Sequence, residues 1–266
     1  MIEHLVNVSG GAASGLSLIR VVERFGKALV SARFADTKCE ADDVYAFIAE
    51  LERYTGVPIT RLDQGVSTYE LFEQRGMWTD PQNGGCVASY HLKRLPLRAH
   101  AELIGFKDYT TIYVGFGPDE DDRMKRLIEA GKPWKFDFPL NWKPKLGRCD
   151  VLDELRGRGL HPPDAYERGY EHANCRQKCV LAGISQWQKL SIEDPATFAE
   201  AEDHEQRMLA MMRERGRKET TILRDRRGGE INNLSLTQLR TDTASGRRPI
   251  DTRSEMASCS CVGLLW

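Results

Sequence analysis

Val6-Asn7-Val8-Ser9-Gly10-Gly11-Ala12-Ala13-Ser14-Gly15 is the stretch whose reading decides the fold. An apolar run over 2–8 leads into it, and Leu16-Ser17-Leu18-Ile19-Arg20-Val21-Val22 follows at helical spacing. A strand, a glycine turn and a helix start aim several backbone N–H groups into one space. The helix dipole adds to them, so the turn suits a phosphate. The hydroxyls of Ser9 and Ser14 add donors. The same spacing also fits an ordinary strand-to-helix turn. No Gly-Lys-Ser/Thr follows, so the loop is not a Walker A, and it is not a GxGxxG dinucleotide turn.

Outward from this stretch, apolar runs alternate with helical patterns, which predicts a parallel sheet with crossover helices. Strands are expected at 28–34, 57–62, 110–116 and 136–140. Helices are expected at 42–54, ended by Gly56 and Pro58, at 119–130, ended by Gly131, and at 150–155, closed by Gly157 and Gly159. From about residue 161 paired prolines and a Cys/His cluster replace the alternation. A long amphipathic helix is expected over 198–217, with Met208, Leu209, Met211 and Met212 near its buried side, and a polar loop over 241–255. The expected organisation is an α/β nucleotide-binding domain, 1–160, with a Cys-rich, helical subdomain, 161–266, packed on it.

At 266 residues the chain is long enough for a full α/β core. Charged residues make up 29% and the net charge is -1, so no global field favours nucleic acid or membrane. The expectation is a soluble, cytoplasmic protein with no membrane partner. Seven cysteines in a reducing compartment point to metal, thiol chemistry or burial rather than disulfides. Cys175 and Cys179 with Cys259 and Cys261 form two close pairs. Four such thiolates suit a tetrahedral zinc site or an iron–sulfur cluster, while four unconnected small hydrophobes is the plain alternative. His172 is an alternative ligand. Cys149 begins a helix and is expected to be packed; Cys39 and Cys86 have no partner at metal spacing.

Ser9-Gly10-Gly11-x-x-Ser14 resembles the PP-loop of the adenine nucleotide α-hydrolase superfamily. The chain as a whole resembles that superfamily's phosphoadenosine-phosphosulfate (PAPS) reductase family, in particular its short bacterial and phage-encoded members. The matching stretches follow in order: Phe34-Ala35-Asp36-Thr37, then 109–116 with Arg123, then Pro162-Pro163-Asp164-Ala165-Tyr166. Gly169-Tyr170-Glu171-His172-Ala173-Asn174-Cys175 runs on to Cys179, and Ile222-Leu223-Arg224-Asp225-Arg226-Arg227-Gly228-Gly229 precedes 234–240. The resemblance implies a Rossmann-like, doubly wound parallel sheet with a C-terminal Cys-containing metal-binding appendage. It implies an adenine nucleotide, ATP or PAPS-like, held by Ser9, Gly10, Gly11 and Ser14, with Asp36 and Thr37 near the adenosine and Lys93 in a basic segment beside it. Similar members also pair an HxNCxxxC stretch with a C-terminal CxC, which supports Cys175, Cys179, Cys259 and Cys261 as ligands of zinc or an iron–sulfur cluster.

Two departures from the family pattern bear on the reaction. Loops that cleave ATP commonly carry an Asp before the final Ser, where it helps with magnesium; Ala13 stands there, leaving Asp36 as a carboxylate for that ion. Sulfonucleotide reductases use a tail cysteine in a motif similar to Glu-Cys-Gly-Leu-His. The tail Ser258-Cys259-Ser260-Cys261-Val262 lacks its Glu and His and has no basic neighbour to activate a thiolate. Three functions therefore stand. The first is ATP-dependent adenylation of an acceptor, a nucleic acid or nucleotide, for sulfur or nitrogen transfer, with a sulfur-donor protein as partner. The second is PAPS reduction by a C-terminal thiol, and the third a non-catalytic nucleotide-binding module with structural zinc. No catalytic residue is assigned. Arg224, Arg226 and Arg227, before Gly228-Gly229, suit a hairpin turn or a face for a polyanionic substrate.

Overall fold

The computed structural model describes residues 3–250 apart from 81, 83 and 84. Strands β1 (His4–Val8), β2 (Val30–Asp36) and β3 (Ile59–Asp63) open the chain. A short antiparallel pair follows, β4 (Thr79–Asp80) with β5 (Gly85–Cys86), before β6 (Thr111–Tyr113) and β7 (Lys135–Asp137). A hairpin of β8 (Leu223–Asp225) and β9 (Asn232–Leu234) comes late in the chain, as its Gly228-Gly229 turn predicts. Helices α1 (Ala12–Phe25) and α2 (Asp42–Thr55) connect the first three strands. They are followed by α3 (Thr68–Arg75), α4 (Leu95–Ile104), α5 (Asp121–Gly131) and α6 (Arg148–Gly157). The C-terminal part holds α7 (Ile184–Glu193), α8 (Pro195–Glu214) and α9 (Leu236–Ala244).

The central sheet has five strands in the order β3-β2-β1-β6-β7, with every pairing parallel. Side chains alternate across it, and both faces are covered, as a parallel sheet requires. Val6 and Phe34 face α1, α2 and α6, meeting Leu16, Phe47 and Leu155. Leu5 and Ala35 face the other way, onto Leu97 and Ala101 of α4 and Leu127 of α5. Each such side chain removed from water contributes about 1.5–3 kcal/mol, so the two layers hold the sheet from both sides. The strand order reverses between β1 and β6. That is the doubly wound, Rossmann-like arrangement expected, with its crevice at the carboxyl ends of those two strands.

Several boundaries differ from the sequence reading for local reasons. Residues 28 and 29 belong to a 3-10 turn, Lys27–Leu29, so β2 starts later and runs on through Asp36. β6 stops at Tyr113, and the Phe116 N–H folds back onto the Val114 carbonyl at 2.9 Å. Pro139 ends the last strand early by opening a 3-10 turn, Pro139–Asn141. α8 begins at Pro195 because Asp194 caps it, its carboxylate accepting from the Thr197 N–H at 3.0 Å. The loop expected over 241–255 is helical as far as Ala244, where it forms the end of α9.

A third core joins early and late segments. Tyr69, Phe72 and Trp78 pack with Trp187, Phe198 and Met208. Glu205 of α8 is fully buried and accepts from the Ile222 N–H at 2.8 Å and the Leu236 N–H at 2.6 Å. It thereby fixes the start of the β8–β9 hairpin and of α9 onto α8, and burial pushes its carboxyl above the usual range.

Candidate functional site

The crevice between β1 and β6 is built by the Ser9–Ser14 loop. Ser14 is its hub: its hydroxyl accepts from the Ser9 N–H at 3.0 Å and donates to the Gly11 carbonyl at 2.9 Å. The two serine hydroxyls lie 3.0 Å apart. Gly10 has φ +81°, a left-handed conformation that L side chains rarely adopt, and a Cβ there would meet Val44 Cγ1 at 2.4 Å. Ser9 and Ser14 thus shape the loop rather than simply decorate it. The first-turn N–H groups of a helix have no partner within it. That of Ala12 donates to the Tyr166 hydroxyl at 3.0 Å, and the next two residues of the turn, Ala13 and Ser14, line the cleft.

The cleft above this loop is lined by Ser9, Gly11, Ser14, Lys93, Glu120 and Arg123. Asn7, Gly115, Phe116, Tyr166, His172 and Asn174 are also on its walls. Four of the residues expected to hold a nucleotide are therefore brought together: Ser9, Gly11, Ser14 and Lys93. Gly10 shapes the loop from behind. Arg94 and Arg98, the neighbours of Lys93, point elsewhere, Arg94 over the Tyr90 ring and Arg98 toward Glu102.

Asp36 and Thr37 hold the end of β2 instead of lining this cleft. Asp36 is fully buried; it accepts from the Lys38 N–H and the Tyr45 hydroxyl, both at 2.8 Å, and pairs with Arg61. Its oxygens are committed within the protein. The carboxylate that stands on the cleft is Glu120, which accepts from the Gly117 N–H at 2.8 Å and pairs with Arg123. Thr37 donates its hydroxyl to Glu40 at 3.0 Å.

Arg33 lies behind Asn7, and its place next to this site was not legible. It is fully buried in β2, donating to Asn7 Oδ1 at 2.7 Å and to the Leu97 carbonyl at 2.5 Å. Burial lowers its guanidinium to about 9, so it stays charged at neutral pH without a carboxylate beside it. Arg33 Nη2 and Asn7 Nδ2 are buried with no partner among the described residues. A buried positive charge thus stands behind Asn7, which itself lines the cleft. The signal available in sequence was a lone Arg inside an apolar strand, Val30 to Asp36.

Beside the cleft lies a chamber of about 520 Å³. It shares Ala13, Glu120, Arg123, Tyr166 and His172 with the cleft and ends on Leu146, Val151 and Leu152 of α6 and its approach. Tyr166 and His172 therefore stand between two spaces. Burial raises the Tyr166 phenol, which keeps its proton available to donate.

Four of the cysteines lie together in the third core. Cys175 and Cys179 are buried, and so are Cys39 and Cys86. All four share the third core with the Tyr69 phenol, which burial holds well above its ordinary range. The fold thus brings into one core two cysteines whose spacing gave them no partner. Cys175, Arg176 and Gln177 all have positive φ, between 50° and 62°. Each costs about 1–2 kcal/mol, offset by bonds such as Cys175 N–H to Glu40 at 2.7 Å and Arg176 to Thr197 at 2.9 Å. Among the described residues no group of three or more His, Cys, Asp or Glu has metal-binding geometry, and Cys259 and Cys261 lie outside them. His172 lines the cleft, and Cys149 is exposed on α6, not packed, because that turn of the helix faces outward.

No family model matches this sequence, and no curated protein does. A solved structure it is similar to is that of phosphoadenylyl-sulfate (PAPS) reductase from Candida auris, in complex with phosphate. The identity is 13% and the TM-score 0.49, over 64% of this chain and 80% of that one. Among the described residues, no helix is long and apolar enough to cross a membrane.

Proposed function

We propose that this chain binds an adenine nucleotide on the Ser9–Ser14 loop and uses ATP to adenylate an acceptor for sulfur or nitrogen transfer. The observation that carries the reading is the convergence of the α1 N-terminus, Lys93, Arg123 and the Glu120 carboxylate on one cleft at the strand reversal. The helix N-terminus and the two cations suit triphosphate oxygens, and Glu120, bonded to Gly117 and Arg123, holds Arg123 at the cleft. In adenylation an acceptor oxygen attacks the α-phosphorus and pyrophosphate leaves; the cations stabilise the charge gathering on it. A sulfur or amine nucleophile then displaces AMP. The adjoining chamber gives a second reactant room next to Arg123 and His172.

Calorimetric titration with magnesium ATP and with PAPS tests this directly. Tighter binding of magnesium ATP supports the reading. Preferential PAPS binding together with sulfite release under thiol reductant would overturn it in favour of sulfonucleotide reduction. Lys93→Met and Arg123→Met should each weaken ATP binding by about 10- to 100-fold, the equivalent of about 1.5–3 kcal/mol for a charged hydrogen bond. Unchanged affinity in both variants would remove the cleft as the phosphate site.

Cys175 and Cys179 are proposed as two thiolate ligands of zinc or an iron–sulfur cluster, with Cys259 and Cys261 supplying the others. Their burial together, on a turn held in left-handed conformation, supports a role beyond packing. Metal analysis of anaerobically purified protein should find zinc, or iron with sulfide, and Cys175→Ser should lose most of it. Full retention in that variant would remove Cys175 as a ligand.

A further inference from the structure

A cavity of about 1320 Å³ shares no lining residue with the cleft on the Ser9–Ser14 loop. It is bounded by the end of α8, the β8–β9 hairpin and the start of α7. Six cations line it, Arg217, Lys218, Arg224, Arg226, Arg227 and Arg248, against a single carboxylate, Asp225. The whole chain has a net charge of -1, so this excess is a local concentration of positive charge and not a reflection of composition.

The lone carboxylate does not neutralise the set. Asp225 pairs with Arg227 at 2.8 Å and Arg248 at 2.5 Å, which holds its carboxyl well below the usual range. Arg224 is turned onto the Thr221 carbonyl at 2.6 Å. The side chains of Arg217, Lys218 and Arg226 make no hydrogen bond or ion pair among the described residues, and all three are exposed. Arg248 is almost fully buried in the cavity wall, and its Nε–H has no partner there. Burying a charged donor unsatisfied is costly, so the site suits an acceptor that the described residues do not supply. Between the cations the floor is apolar, with Met77, Val180, Ile184 and Ile222.

We infer that this cavity is a binding site for single-stranded nucleic acid. Several cations around an apolar floor match a chain of phosphates whose bases have apolar faces. The space exceeds the roughly 300–1000 Å³ typical of small-ligand pockets, which favours several linked nucleotides over one free phosphate. Segment 172–184 joins the two sites: His172 and Asn174 line the nucleotide cleft, Cys175 and Cys179 follow, and Val180 to Ile184 line the cavity. Binding here does not depend on the adenylation reading. Only the further step, that the bound strand is the acceptor, rests on it.

The test is fluorescence polarisation of the full chain with labelled twelve-nucleotide oligo-dT and oligo-U over a salt series, alongside ATP titration. The expected result is binding whose log–log salt slope is about -2, from three free cations at about 0.7 per contact on a single strand. Arg217→Ala/Lys218→Ala/Arg226→Ala should weaken it at least about tenfold and flatten the slope, with ATP affinity unchanged. The arm with the tighter binding identifies DNA or RNA as the source of the phosphates. Failure of both oligonucleotides to bind overturns the inference, as does binding that the triple variant leaves intact. Binding of inorganic phosphate alone, with no oligonucleotide binding, also overturns it. If ATP binding is absent but the oligonucleotides bind as described, the nucleotide reading falls and this one stands.

Discussion

Gly115→Val is expected to weaken ATP binding by about a hundredfold or more while leaving the chain folded. Gly115 follows β6 and lies against the first turn of α1. A Cβ there would sit 2.8 Å from the backbone carbon and oxygen of Ala13 and from the Ser14 nitrogen. Those atoms are main chain at the start of a packed helix and cannot swing aside like a side-chain tip. The loop or the helix start must move, and Ala13 and Ser14 carry N–H groups of the helix start proposed to hold phosphate. Each charge-assisted bond contributes about 1.5–3 kcal/mol, so misplacing two costs about two decades or more in affinity. The stability cost should be smaller, about 1–3 kcal/mol, as for other overpacked sites. ATP calorimetry with a urea unfolding curve separates the two effects. Gly157→Ala is the control, because a Cβ there meets nothing within 4 Å. Wild-type affinity in Gly115→Val would show that the β6 end and the α1 start do not share a ligand.

The parts of this architecture set by local sequence were legible; those set by contacts distant along the chain were not. The alternation of apolar runs with helical spacing gave the parallel sheet, and Ser9-Gly10-Gly11 placed the glycine turn between β1 and α1. Lys93 on the cleft was reached through the resemblance, since nothing in its immediate neighbours separates it from Arg94 or Arg98. The helix α3 carries a readable Ser67–Glu70 capping box yet was not placed, because its eight residues show little apolar periodicity. Asp36 was expected near a nucleotide or magnesium, and only the fold reveals that Arg61, Tyr45 and Lys38 already occupy its oxygens. Cys39 and Cys86 looked isolated for the same reason: spacing along the chain does not report that the fold buries them in one core with Tyr69, Cys175 and Cys179. Arg224, Arg226 and Arg227 read as a hairpin, which they make, but the cavity they border needs Arg217, Lys218 and Arg248 from other elements.

Glu40→Ala is expected to cost about 3–5 kcal/mol of stability, the range for removing one partner of a buried ion pair. That is a large share of the about 5–15 kcal/mol that holds a typical domain folded. Glu40 is 7% exposed and ties three segments together. One oxygen accepts from the Thr37 hydroxyl at 3.0 Å and faces Lys93 Nζ at 3.4 Å. The other accepts from the Cys175 N–H at 2.7 Å. The end of β2, the cation on the nucleotide cleft and the left-handed turn bearing Cys175 therefore share one carboxylate. Its loss removes a bond that offsets the strain at Cys175, Arg176 and Gln177, so metal content should fall together with stability. Glu40→Gln keeps an acceptor for the Cys175 N–H but not the charge opposite Lys93. It should retain more stability and metal than the alanine variant, yet weaken ATP binding through a misplaced Lys93. Urea midpoints, metal analysis and ATP calorimetry on both variants distinguish a shared support from three separate contacts. If alanine lowers stability but leaves metal and ATP affinity at wild-type levels, Glu40 is a packing carboxylate and the cleft is independent of the cysteine turn. If all three fall together, the turn, the cleft and the strand end behave as one unit joined at a buried charge.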